Sequence, residues 1–129
     1  GEVIGDTFEE LAEILQRVDH PELGICFDTA HAFASGYDLR TEASVTEVFD
    51  RFEATIGLHR LKMSHCNDSK VDLGERKDRH EHLGKGFIGA PGFAALVHHP
   101  KLQHLNWYLE TDPAGVQADL ELLKQIRTQ

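Results

Sequence analysis

The sequence predicts an α/β fold in which a parallel sheet is flanked by helices. Three observations carry this. Amphipathic helix-length stretches alternate with short apolar runs, in the order helix, strand, helix, strand, helix, strand, helix, which is the pattern of a sheet built through helical crossovers. The first apolar run, Leu23-Gly24-Ile25-Cys26-Phe27, is continuous rather than alternating, as in strands covered on both faces. Connections are short, with one exception between Asn67 and Ala90. Doubly wound sheets and (β/α)8 barrels both satisfy this pattern, and residues 1–129 read as a single domain.

Each element has a local reason. Asp6 with Glu9 matches a capping box, after which Phe8, Leu11, Ala12, Leu15 and Val18 recur at helical spacing until Pro21 closes the helix. Leu23 to Phe27 is the first strand. Ser44 with Glu47 is read as the cap of a second helix, whose apolar face is Val45, Val48, Phe49, Phe52 and Ile56, with Gly57 as its stop. Leu58 to His65 is the second strand. A third helix starts at Pro91, a favoured first-turn residue, and carries Phe93, Leu96 and Val97. Leu105 to Leu109 is the third strand. Asp112-Pro113 opens the last helix, with Val116, Leu120 and Leu123 facing inward.

Composition narrows the class. The 129 residues are 40% hydrophobic and 27% charged, which excludes disorder, collagen-like repeats and a disulfide-rich scaffold. No apolar run approaches the ~20 residues of a membrane span, and Gly1-Glu2-Val3-Ile4 lacks the basic and apolar regions of a signal peptide. Cys26 and Cys66 form no CxxC pair and sit in apolar segments, so both are expected to be buried, reduced thiols of a cytoplasmic protein. The net charge of -9 argues against a plain cationic nucleic-acid binder. Nine histidines are many for this length.

All three strands end in a residue able to bind a metal: Asp28, His65 and Glu110. In parallel α/β folds the carboxyl ends of strands converge on one face, where sites are built. One polar strand end is simply where the chain leaves the core; three in succession, each a good ligand type, point to a site. His31 follows Asp28 on a tight turn, and Asp78 and His80 stand at i and i+2 in the long loop, on one side of an extended segment. Mixed imidazole and carboxylate donors suit Zn²⁺, with Mn²⁺ as a harder alternative. Six candidate ligands exceed what one tetrahedral zinc can use, so two or more ions are expected, of the kind that catalyse hydrolytic displacement.

The remaining histidines read differently. His98, His99 and His104 lie toward the opposite end of the layer and suit solvated or capping roles. His20 precedes a proline, and His59 begins a strand at its wrong end. His82 suits support of the site or contact with substrate rather than ligation. The run from Gly84 to Gly89 imitates a phosphate loop but does not follow a predicted strand, and no GxxxxGK[ST] or GxSxG occurs. Cys66 reads as a packed thiol rather than a nucleophile.

Four segments resemble the endonuclease IV family of apurinic/apyrimidinic endonucleases. They run from Leu23 through the Asp28-Thr29-Ala30-His31 stretch to Asp38, from His65 to Lys70, from Arg76 to Gly86, and from Leu109 to Thr111. Their order matches, and together they cover nearly the whole chain. The departures are Ala30, where the family commonly has Cys, and Cys66, where Leu is usual. The resemblance implies a (β/α)8 TIM barrel with up to three zinc ions, cutting double-stranded DNA 5′ to abasic sites. It implies that His31, Asp78 and His80 hold one zinc, a complete set here, and that Asp28, His65 and Glu110 are three ligands of a second. The third ion and a bridging glutamate would come from upstream. The attacking hydroxide is expected from the metals rather than from a side chain, and no catalytic side chain is assigned on this chain.

A complete barrel needs about 250 residues, so this chain is expected to be its C-terminal part, about three βα units plus a leading helix, without the upstream half. Such a piece would leave sheet edges unpaired. It is therefore expected to be inactive alone, its partner being the missing half of the barrel or another copy of the chain. Lys70, Arg76, Lys77 and Arg79 give the long loop a basic face for DNA phosphates, although Asp72, Glu75 and Asp78 share it and a solvated charged surface has the same composition. Two other readings remain: a divalent-metal sugar isomerase or epimerase of the same barrel type, and a non-catalytic barrel fragment.

Overall fold

A computed structural model describes residues 4–129 of the chain. Helix α1 (Phe8–Val18) leads into strand β1 (Ile25–Asp28), short helix α2 (Thr29–Ala34) and helix α3 (Glu42–Thr55). Strand β2 (Leu61–His65) is followed by two brief strands, β3 (Asp68–Ser69) and β4 (His80–Glu81), then helix α4 (Gly89–His98), strand β5 (Trp107–Tyr108) and helix α5 (Val116–Arg127). The main sheet is parallel in the order β1-β2-β5, while β3 and β4 form an antiparallel pair. This is the α/β architecture the alternation predicts, as a partial barrel.

Pleating divides the sheet into two chemically different faces. Phe27 points to the helices and packs against Phe49, with ring centroids 5.0 Å apart. Phe33, Phe49, Phe52, Phe93, Leu61 and Leu96 complete an almost fully buried core there, each large apolar side chain contributing about 1.5–3 kcal/mol relative to exposure. The other face carries Cys26, Met63 and Tyr108, and it is open: Met63 is 40% exposed and Tyr108 49%. Cys26 pairs with Met63 in register and His65 with Tyr108, so one stripe runs along this inner face of the barrel. Asp28, His65 and Glu110 each stand two residues beyond a member of that stripe and so continue it at the carboxyl rim.

Several local expectations shift. The cap of α1 is Thr7, whose hydroxyl accepts from the Glu10 N–H at 3.2 Å while the Glu10 carboxylate reaches back to the Gly5 N–H at 2.9 Å. The cap is therefore displaced by one residue from Asp6, without the reciprocal bond of a capping box, and Asp6 is released for another contact. Helix α3 is capped by Thr41 with Ser44 at the third helical position, not by Ser44 with Glu47, which adds a turn at its start. Leu58–Arg60 forms a turn of 3-10 helix before β2, so the second strand is shorter than its apolar run. Cys66 is buried, but Cys26 is exposed: the stretch around it is apolar because it faces a barrel interior, and the strands that would cover that face are not among the described residues.

Candidate metal centre

Asp28 closes β1 and caps α2. Its Oδ1 accepts the His31 N–H at 3.0 Å, so the Asp-x-x-His spacing becomes a helix start that carries His31 in its first turn, on the same side as the carboxylate. The expected tight turn after β1 is thus a short helix. The long loop folds back at once. Because β3 pairs with β4, Ser69 lies opposite His80, and Asp78 and His80 return to the ends of β1 and β2.

The candidate ligands meet. His65 Nδ1 lies 2.7 Å from Glu110 Oε1 and 3.7 Å from Asp28 Oδ2. His80 Nε2 lies 3.6 Å from Asp28 Oδ2 and 3.3 Å from Asp78 Oδ1. Two sets result, Asp28–His65–Glu110 and Asp28–Asp78–His80, and in each the donor atoms all lie within 4.8 Å of one another. Asp28 belongs to both. His31 stands at the margin, with Nδ1 3.8 Å from Asp78 Oδ2.

Burial, together with the neighbouring Asp78 and Glu110 carboxylates, pushes the Asp28 carboxyl above its usual range, against the opposing pull of the His31 N–H and His80. Three carboxylates gathered with imidazoles are an excess of negative charge that a divalent cation relieves. The nitrogen and oxygen donors match the ligand chemistry of zinc, so the residues present fit that ion.

Sequence reasoning missed the groups that hold this arrangement. Asn67, fully buried, donates from Nδ2 to Asp28 Oδ2 at 3.2 Å and accepts the Glu110 N–H at 2.9 Å. Asp68, also fully buried, accepts backbone N–H bonds from Ser69 and Ile88 on Oδ1 and from Gly84, Gly86 and Gly89 on Oδ2. The glycine-rich run that imitates a phosphate loop therefore wraps an internal carboxylate. A Cβ at Gly86 would fall 2.4 Å from the Ser69 carbonyl oxygen, so only glycine permits this approach. The signal for both residues was adjacency to a strand end, and it does not distinguish a buried organiser from a surface polar pair.

The other histidines stay away from the centre. His82 Nδ1 is 2.7 Å from Asp119 Oδ2, and Leu83 donates its N–H to Asp119 Oδ1 at 2.9 Å, which ties the loop to α5. His98 and His104 contact the carbonyls of Ile126 and Leu61. His99 Nδ1 accepts the Lys101 N–H at 3.1 Å, a capping role, though its ring is buried rather than solvated. Lys70, Arg76, Lys77 and Arg79 are all exposed; Arg76 also contacts Asp6 at 3.2 Å.

Comparison with known proteins adds to this geometry. A family model described as a xylose isomerase-like TIM barrel matches residues 1–126. A probable endonuclease 4 from Chlorobium phaeobacteroides is 54% identical over 112 residues, covering 86% of this chain and 39% of that protein. One from Natronomonas pharaonis is 49% identical over 127 residues, covering 98% and 45%. The crystal structure of endonuclease IV from Thermus thermophilus superposes with a TM-score of 0.86 at 37% identity, over 98% of this chain and 45% of that one. The chain thus spans less than half the length of these relatives.

Proposed function

The chain belongs to the endonuclease IV family of xylose isomerase-like TIM barrels, and on that footing we propose that it supplies the carboxyl rim of a zinc-dependent DNA repair nuclease. The reaction is hydrolysis of the phosphodiester 5′ to an abasic site in double-stranded DNA. The observation that carries this reading is the convergence of Asp28, His65 and Glu110 with Asp78 and His80 at the ends of strands distant in sequence.

In this proposal Asp28, His65 and Glu110 hold one zinc, and His31, Asp78 and His80 hold another. A third ion and a further glutamate would be supplied from outside the described residues. Held by these residues, zinc would supply Lewis acidity, lowering the pKa of water and offsetting charge on the phosphate. The chain's own residues do the positioning. Asn67 sets the separation of Asp28 and Glu110. The Glu110 carbonyl lies 3.4 Å from His80 Nδ1, which leaves Nε2 facing the carboxylates. Lys70, Arg76, Lys77 and Arg79 hold the phosphate backbone. An abasic nucleotide has no base to unstack and leaves the helix at low cost, which suits a site set in a rim.

The chain alone is proposed to be inactive, with the rest of the barrel or a second copy as its partner. A cytoplasmic setting belongs to the same proposal: Cys26 and Cys66 are free thiols, the form that reducing compartments maintain. Among the described residues no helix is long and apolar enough to cross a membrane.

The test combines metal analysis with complementation. The chain is expected to bind zinc and to cut a duplex with one abasic analogue only when the remaining strands are added from a relative such as the Thermus thermophilus enzyme. A complemented barrel that binds no zinc and leaves the duplex intact sinks the reading. A manganese-preferring mono- or dinuclear centre that turns over sugars would assign the site to the isomerases instead.

A further inference from the structure

Asp6 lies beside the metal centre without belonging to either ligand set. Its side chain is only 9% exposed, and its Oδ1 stands 3.0 Å from His31 Nε2. The ring is not aligned for a hydrogen bond at that distance, and among the described residues Oδ1 has no hydrogen-bond partner: it is a buried carboxylate oxygen left unserved beside an imidazole nitrogen. Its Oδ2 accepts from the Arg76 guanidinium at 3.2 Å. The opposite nitrogen of the same imidazole, Nδ1, faces Asp78 at 3.8 Å. His31 is thus strung between a carboxylate inside the centre and one behind it.

A neutral imidazole has one N–H and one lone pair. A ring that ligates a metal must turn its lone pair to the ion and its N–H to something else, commonly a carboxylate. Here the nearer carboxylate is Asp6, on the Nε2 side, which leaves Nδ1 for the centre.

Three separate segments build this contact. Asp6 reaches it because Thr7, not Asp6, caps α1. Arg76 supplies the counter-charge from a left-handed backbone, φ 61°, a conformation costing a non-glycine residue about 1–2 kcal/mol. Its N–H is held by the Ala34 carbonyl at 2.9 Å, and the Gly74 N–H by the Phe33 carbonyl at 3.2 Å. Both carbonyls belong to α2, the helix that carries His31. Strain at Arg76 and a carboxylate removed from solvent beside His31 converge on one side chain.

We propose that Asp6 is a positioning residue for His31: it accepts the Nε2–H and selects the tautomer whose Nδ1 lone pair faces Asp78. The metal part of this rests on the zinc reading above; the tautomer does not.

Two measurements on the full chain test it. In metal-free protein at a pH where His31 is neutral, the ring ¹⁵N shifts are expected to show the Nε2–H form, and Asp6→Asn is expected to mix the two tautomers. In a Co²⁺ titration, Asp6→Ala is expected to weaken one site about 10- to 100-fold, Asp6→Glu to recover part of the loss, and Asp6→Ala to add nothing in a His31→Ala background. An Nδ1–H ring in the parent protein overturns the proposal. So does a fall in the unfolding midpoint of Asp6→Ala with tautomer and Co²⁺ affinity unmoved, since that is a purely structural role. A parent chain that takes up no Co²⁺ overturns the zinc reading instead, and the ring shifts then still decide whether Asp6 sets the His31 tautomer.

Discussion

Asn67 and Glu110 hold each other from both ends: the Glu110 N–H donates to Asn67 Oδ1 at 2.9 Å, and Asn67 Nδ2 reaches Glu110 Oε1 at 3.4 Å. The same Nδ2 donates to Asp28 Oδ2 at 3.2 Å. One buried amide therefore spaces two carboxylates that leave different strands and would otherwise repel each other. Asn67→Ala removes this clasp. Zinc affinity is expected to fall about 10- to 100-fold, as for other partners that orient metal ligands, and stability by about 1–3 kcal/mol from the orphaned groups. Elemental analysis and urea unfolding read the two effects, and a variant with full zinc content at the same free-metal concentration would refute the first.

Asp68→Ala should destabilise more. Its carboxylate is the common acceptor for five backbone N–H groups, and hydrogen bonds to charged groups contribute about 1.5–3 kcal/mol each, though not additively. A loss of at least about 3 kcal/mol is expected from the denaturant midpoint. Hydrogen exchange should locate it first at the amides of Gly84, Gly86 and Gly89. Exchange there that matches the parent protein would show that the loop does not depend on Asp68.

His99 should make stability depend on pH. Burial of its ring pulls its pKa below the usual histidine value, against Asp50 and with Lys101. Its Nδ1 must also keep a lone pair to accept the Lys101 N–H. The folded state thus binds the proton less readily than the unfolded chain. The contribution is present above the unfolded value of about 6.5 and is lost as pH falls from there through the lower folded value. His99→Asn keeps a capping oxygen without titrating, and its stability should fall less than that of the parent between neutral and mildly acid pH. Parallel curves for the two proteins in thermal scans would remove His99 from the account.

His80→Ala and Glu110→Gln strike different ligand sets. Each is expected to remove one zinc from the complemented barrel and to lower cleavage of the abasic duplex by several orders of magnitude, because a metal that stabilises transition-state charge is worth several kcal/mol. His59→Ala, at an exposed position away from the centre, should change neither. Unchanged metal content and cleavage in His80→Ala would take His80 out of the site.

Much of the fold and the centre was legible in the residue order. Apolar spacing located α1, α3, α4 and α5 and all three strands of the main sheet, because helix and strand periods follow from backbone geometry. The rule that parallel strands converge at their carboxyl ends brought Asp28, His65 and Glu110 together, and the i, i+2 spacing of Asp78 and His80 was enough to place both on one side. These are local or topological facts, and the chain carries them openly.

Tertiary structure decided the rest. The sharing of Asp28 between two ligand sets, the burial of Asn67 and Asp68, and the turn of His31 toward Asp6 all depend on contacts between residues well separated in sequence, from 16 positions for Asp68 and Gly84 to 52 for Asp28 and His80. A caps-and-spacing rule sees only neighbours, which is why it gave Asp6 to the helix while the folded chain gives it to His31. Cys26 shows the same limit from the other side: its neighbours are those of a core residue, yet it lies on a sheet face that only further strands would cover. Local physics sets which segments are helix and strand; the meeting of distant polar groups is settled when packing and desolvation determine which of them can find a partner.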